Sequence, residues 1–218
     1  MPIQTPSLRR LLPAALTLAA AVCAPAAQAT VLTALPGVVA SANACYLNPG
    51  CSPTGVWAAA YIVDGVPYDT AGYHSWNAGD YGSLAAPQWV RLDFGASYQL
   101  DAVTLGFTNY GAQYAGYSNV YEFRTSLDSV NWLTAASGTL FDSADPALRN
   151  NTWTWATGSG PVARYVEYRV VGGTHWATLG EMTVSGVAAQ VPEPATTAML
   201  LAGLAAVGLT ARRRLTRA

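Results

Sequence analysis

The chain is 218 residues long, 51% hydrophobic and only 11% charged, with a formal net charge of −1. That average hides a division: all 12 Tyr, 7 Trp and 4 Phe fall between Tyr46 and Trp176, and from Thr30 to Gln190 five arginines face eleven Asp and Glu, a local balance of −6. There is no lysine, so phosphate neutralisation has few cations to work with, and the composition argues against nucleic-acid binding.

Residues 1–29 read as a secretory signal. Arg9 and Arg10 form a positive start, Leu11 to Cys23 an apolar core, and Ala27-Gln28-Ala29 a small-residue cleavage site. Pro13 and Pro25 argue against a buried N-terminal helix. Export leaves Cys45 and Cys51 as one close pair, expected to form a local disulfide across the Asn48-Pro49-Gly50 turn rather than two free thiols.

The aromatic middle, residues 30–190, is expected to be one domain. Thr30 to Ser41 reads as an edge strand broken at Pro36-Gly37. Val56 to Val63 fits a strand or a single helical turn, which periodicity does not separate. Asp64 to Pro87 is a long loop without a sustained pattern, and such loops in compact domains are usually functional. Gln88 to Phe107 is the centre of the pattern. Val90, Leu92 and Phe94 alternate with Trp89, Arg91 and Asp93, Gly95 to Ser97 interrupts, and alternation resumes at Val103, Leu105 and Phe107, so two strands around a short turn are expected.

Thr108 to Asn119 is irregular and rich in tyrosine and amides. Val120 to Leu127 alternates, with Tyr121, Phe123, Thr125 and Leu127 on one face, and Asp128 to Asn131 makes a turn. Thr152–Ala156, Ala163–Val171 and Glu181–Val187 read as further strands. No long segment of helical period lies inside the domain, so the fold class is all-β, a sandwich of short strands. After Val191 the composition shifts. Ala195 to Ala211 is 17 residues without a charge, and Arg212-Arg213-Arg214 follows. This is the length of a short membrane span with its arginines kept cytoplasmic.

Two resemblances follow from these residues. Val191-Pro192-Glu193-Pro194, an apolar stretch and terminal arginines resemble a PEP-CTERM sorting signal over residues 191–218. The resemblance implies export by a Gram-negative bacterium that makes exopolysaccharide, recognition by an exosortase-type processing enzyme, and a transient membrane anchor. The domain resembles a discoidin, or coagulation factor 5/8 type C, module of the galactose-binding-like fold, from about Ala60 to Val187. The matching residues are Val63-Asp64-Gly65, Tyr73-His74-Ser75-Trp76, Gln88 to Gly95, Tyr121-Glu122-Phe123, Ser126 to Trp132, Ala163 to Val166 and Leu179-Gly180-Glu181-Met182. A discoidin-like jelly-roll β-sandwich is implied.

In carbohydrate-binding members of that fold, the acid of the Asp-Gly pair and the Glu near the C-terminus hold a structural calcium. Asp64 and Glu181 fall on those positions, and hard oxygen ligands suit calcium. A His and an aromatic before the central strand meet polar residues after it, which carries the ligand site onto His74 and Trp76 with Asn109 and Tyr110. The competing structural readings are a Trp76 packed under its own loop and a His74 bonded to a backbone carbonyl. Tyr114 and Tyr117 are further platforms, and His175-Trp176 lies just before the Glu181 strand, where it lines the same end. Trp89, Trp132 and Trp153 sit in strand patterns and are expected in the core or on a sheet surface.

Neither histidine lies in H-E-x-x-H and no G-x-S-x-G occurs, so a non-catalytic module is expected. The expected function is carbohydrate binding, to a cell-surface or exopolysaccharide glycan in the envelope or matrix. The alternatives are a structural or adhesive matrix protein without a small ligand and a polysaccharide hydrolase.

Overall fold

The computed structural model describes residues 28–66, 74–107, 114–156 and 158–189. The expected signal at 1–29 lies outside these residues except for its last two positions. So do Asn109, Tyr110 and all of the sorting tail. Among the described residues there are ten strands: β1 Thr30–Val31, β2 Val39–Ala42, β3 Trp76–Asn77, β4 Gln88–Gly106, β5 Ser118–Ser126, β6 Leu133–Phe141, β7 Asn150–Thr154, β8 Val162–Gly173, β9 Thr178–Leu179 and β10 Glu181–Ala188. Every pairing is antiparallel. The segment that fitted strand or helix contains a short 3-10 helix, Ala59–Val63.

Strand β4 joins the two layers of a sandwich. Its first half, Gln88 to Asp93, pairs with β8, while Val90 to Asp93 also pairs with β2 on the other side. Its second half pairs with β10 and, from Ala102, with β7. One layer therefore runs β2-β4-β8-β5-β6 and the other β1-β10-β4-β7. The expected turn at Gly95–Ser97 is instead an irregularity inside one continuous strand, because the β8 register slips between Asp93 and Tyr98. Gly95, at φ 75°, takes a left-handed conformation that disfavours a side chain at this bend.

The inner faces follow the alternation. Val90, Leu92, Val103, Leu105, Phe123, Val166, Tyr168, Val170, Met182 and Val184 are fully buried in one core. Trp153 of β7 reaches across to Tyr121 of β5, edge to face at 5.7 Å. A further expectation fails, and one strand is not foreseen. Leu127 leaves the buried face and is 57% exposed, because β5 ends at Ser126 and the chain turns. The strand β6 gave no sequence signal, since its inward positions are mainly the small Ala136 and Leu140 among Thr, Ser and Gly.

The pairing brings to one end of the sandwich the strand ends at Ala42 and Gln88, Gly106 and Ser118, Phe141 and Asn150, and Gly173 and Glu181. The β4 irregularity, the β5–β6 turn and the end of β10 lie at the other. Among the described residues, no helix is long and apolar enough to cross a membrane.

Candidate functional site

The site-bearing end is built on a small second sheet, in which Trp76 pairs with Leu179 and Asn77 with Thr178. Asn119, fully buried at the start of β5, clamps the preceding loop to it. Its amide donates to the carbonyls of His175 and Trp176, at 3.3 and 3.1 Å, and its oxygen accepts from Thr178 N–H at 2.9 Å. Thr178 Oγ1 donates to the Trp76 carbonyl at 2.7 Å. The positions of His175 and Trp176 are thus set by buried hydrogen bonds rather than by a free loop.

The second support is the Cys45–Cys51 disulfide, which the structure contains as expected. Asn48 fills the ring it closes, donating to the Ser52 carbonyl and accepting from Ser52 N–H. Tyr46 N–H donates to the Asn77 carbonyl at 2.7 Å. The Tyr46 ring then lies flat against Trp176, with centroids 6.0 Å apart and planes at 19°. A Cβ at Gly79, where φ is 74°, would stand 2.6 Å from this ring. Gly79 therefore serves both a left-handed turn and the approach of Tyr46.

From this pair an aromatic row continues across the end. His175 lies 5.2 Å from Trp176, 5.0 Å from Tyr117, 5.8 Å from Tyr114 and 6.2 Å from Phe107, measured between ring centroids. Tyr114 and Tyr117 contact each other edge to face. Only 3% exposed, His175 is the buried centre of the row, while Tyr46 and Tyr117 are each 39% exposed. Burial lowers the His175 pKa, and donation from its Nδ1 to the Trp176 carbonyl opposes the shift, so the ring is neutral at pH 7.

The same end of the sandwich carries a polar cluster. His74 Nδ1 donates to Asp64 Oδ2 at 2.8 Å, and Asp64 Oδ1 accepts from Val66 N–H at 2.8 Å. The His74 ring packs against Tyr61 at 5.5 Å, and its side chain is 44% exposed. His74 thus bonds to a carboxylate, not to a backbone carbonyl. Glu181 opens β10 opposite Gly106. Burial first, then the Asp64 charge, push its carboxyl up to about 8, against a hydrogen bond from Gly65 N–H. Its buried Oε2 has no hydrogen-bond partner. Two carboxylates that repel one another, one with an orphaned oxygen, are a donor set that suits a hard cation. Among the described residues no group of three His, Cys, Asp or Glu converges as a metal cluster, so further ligands would be carbonyl oxygens or water.

Trp76 is a correction. It is fully buried, its indole N–H donates to the Ala44 carbonyl at 2.8 Å, and its ring meets Tyr168 edge-on at 6.4 Å. A ring enclosed in the core offers no face to a ligand. Tyr46 and Asn119, which build the row, carried no sequence signal for it. The outer face of the β4-β8-β5 layer holds Trp89 and Trp132. Arg91 lies over Trp89 at 3.7 Å and over Trp132 at 4.7 Å. Arg91 and Arg124 both bond to Glu167, which is completely buried beneath them.

Comparison with known proteins gives two family matches. Residues 48–182 match the F5/8 type C domain, and residues 190–214 match the PEP-CTERM protein-sorting motif. Among solved structures, a fucolectin from striped bass (Morone saxatilis) serum is 16% identical, with a TM-score of 0.51 over 74% of this chain and 50% of that one. Chitosan-binding module 1 of a chitosanase/glucanase from Paenibacillus is 20% identical, covering 72% of this chain and 99% of that one at a TM-score of 0.49. A family 32 carbohydrate-binding module from Clostridium perfringens, in complex with galactose, is 18% identical, covering 68% and 93% at 0.47. No curated protein matches the chain.

Proposed function

The chain belongs to the F5/8 type C domain family, and on that premise we propose that it is a non-catalytic carbohydrate-binding module whose ligand lies along the aromatic end of the sandwich. The observation that carries this reading is the row Tyr46, Trp176, His175, Tyr117 and Tyr114, joined ring to ring at one end. Aromatic faces pack against the C–H faces of pyranoses, and the tyrosine hydroxyls supply donors and acceptors to sugar hydroxyls. The exposed His74, oriented by Asp64, is assigned as a polar contact at the same end. Asn109 and Tyr110 keep their role as expected from the resemblance.

A structural calcium at Asp64 and Glu181 belongs to the same reading. The orphaned Oε2 of Glu181 beside the Asp64 charge supports it. The ion would supply the missing partner and tie the loop after the Ala59–Val63 helix to the start of β10. The sorting motif at 190–214 supports an exported chain handled by an exosortase-type enzyme, held for a time by its apolar tail and delivered to the envelope or an exopolysaccharide matrix.

The test is a polysaccharide and glycan array probed in calcium and then in chelator, with Tyr46→Ala, Trp176→Ala and His74→Ala beside the parent chain. Binding that the three substitutions weaken, without a change in fold, is the expected result. A stable chain that binds no glycan would replace this reading with a structural matrix protein.

A further inference from the structure

The end of the sandwich opposite the aromatic row carries a second exposed apolar surface. In the β5–β6 connection and its flanks, Leu127 is 57% exposed, Val130 77% and Leu133 74%, and Val162 at the start of β8 is 41% exposed. Leu127, Leu133 and Val162 line one groove of about 290 Å³ together with Thr125, Ser126 and Asn131.

Such a tip is rigid rather than frayed. Asp128 Oδ1 accepts from the N–H groups of Val130 and Asn131 and from Ser126 Oγ, and its other oxygen accepts from Asn131 Nδ2. The carboxylate is thereby committed to the turn. No basic residue occurs between Thr125 and Leu133, and the nearby Arg91, Arg124 and Arg164 are committed to Glu167 and Asp93, so among the described residues the tip presents no uncommitted cation to anionic headgroups. Three aliphatic side chains held outward at a fixed turn, with Val162 of β8 beside them, are costly in water and call for a partner.

The fold says where that partner stands. Val162 pairs with Gln99, and Gln99 pairs on its other side with Val187. Val162 and Val187 are therefore two strand spacings apart, roughly 10 Å. β10 ends at Ala188, and Ala189 N–H is bonded to the Ser97 carbonyl at this same end. The uncharged apolar stretch begins at Ala195, six residues beyond Ala189. Six residues span at most about 20 Å when fully extended. Whenever that stretch lies in a bilayer, the apolar tip is held within a short tether of the headgroups, and the aromatic row faces away.

We propose that the β5–β6 tip, through Leu127, Val130, Leu133 and Val162, is a membrane-contact surface that seats the domain on a neutral phospholipid headgroup layer while its tail is anchored. This rests on the anchored-tail reading above. It gives the anchored protein a fixed orientation, with its ligand end outward, which a bare tether would not provide.

The experiment is amide hydrogen exchange on the full chain in phosphatidylcholine nanodiscs, compared with the same chain in a mild detergent. The expected result is at least tenfold slower exchange at residues 127–133 in the discs, with the aromatic end unchanged. The triple variant Leu127→Ser, Val130→Ser, Leu133→Ser, confined to exposed positions, is expected to remove that protection while remaining in the discs. A chain that enters the discs yet exchanges at the tip as it does in detergent overturns the proposal alone. A chain that does not enter the discs overturns the anchored-tail reading and this proposal with it. Protection that rises with protein concentration in detergent would assign the tip to a second copy, and protection seen only with phosphatidylglycerol would overturn the neutral-headgroup assignment.

Discussion

Tyr46 and Trp176 lie stacked at 6.0 Å although one precedes the first long strand and the other follows the eighth. Each is positioned by the backbone of the small β3–β9 sheet: Tyr46 N–H bonds to the Asn77 carbonyl, and Ala78 N–H bonds to the Ala177 carbonyl. The platform exists only in the folded domain, which makes it a test of whether the stack is for binding or for packing.

Replacing Tyr46 or Trp176 by alanine removes half of a partly exposed stack. If the row binds glycan, each change weakens binding by about 1–2 kcal/mol, close to a tenfold rise in Kd. The melting temperature should move little for Tyr46, which is 39% exposed. Calorimetric titration with the best array ligand measures the first and a thermal scan the second. A large loss of stability with intact affinity would mark the stack as packing.

The disulfide supports the same platform from below. Changing Cys45 and Cys51 together to serine frees a short loop whose closure is worth roughly 2–3 kcal/mol. The fold survives, since no core strand lies in the loop. The affinity for glycan should fall further than the stability alone would suggest, because Tyr46 loses its fixed backbone. Equal affinity in oxidised and serine forms would separate Tyr46 from the site.

Much of this architecture is readable in the chain because alternation is a local signal. Val90, Leu92, Phe123, Val166 and Tyr168 announce their faces from the residues beside them. The site is less readable because it is made by long-range pairing. Trp76 stands in a run of loop-like residues, and only its pairing with Leu179 carries the ring into the core. Tyr46 meets Trp176 through that same sheet. By contrast Asp64, His74 and Glu181 fell on positions matched by the family resemblance, and the structure brings them near one another at one end.

Glu181 gives a pH signature. Its folded pKa is raised from 4.5 to about 8, so the folded state holds a proton that the unfolded chain releases. The associated stability is fully present below about pH 4.5 and is lost as pH rises to about 8, on the order of 2–4 kcal/mol. In chelator the melting temperature should therefore decline across that window, and Glu181→Gln should flatten the decline and melt higher than the parent at pH 8. Calcium should reverse that order, stabilising the parent at pH 8 and leaving the variant unchanged. A variant that responds to calcium as the parent does would remove Glu181 from the ligand set.

The outer face of the larger layer supplies a stability test independent of any ligand. Glu167 is fully buried between Arg91 and Arg124, at 2.5 and 3.0 Å, and Trp132 lies over both guanidinium groups. A carboxylate so enclosed is satisfied only by its two partners. Glu167→Ala leaves two arginines facing one another with no anion between them, and should cost about 3–5 kcal/mol. Replacing all three, Arg91→Met, Arg124→Met and Glu167→Leu, removes the charges together and should restore most of that loss, since apolar packing in place of a buried ionic group is often neutral. Urea unfolding of the parent, the single and the triple variant decides it. A single variant within about 1 kcal/mol of the parent would mean that water reaches Glu167 and that Trp132 does not seal the face.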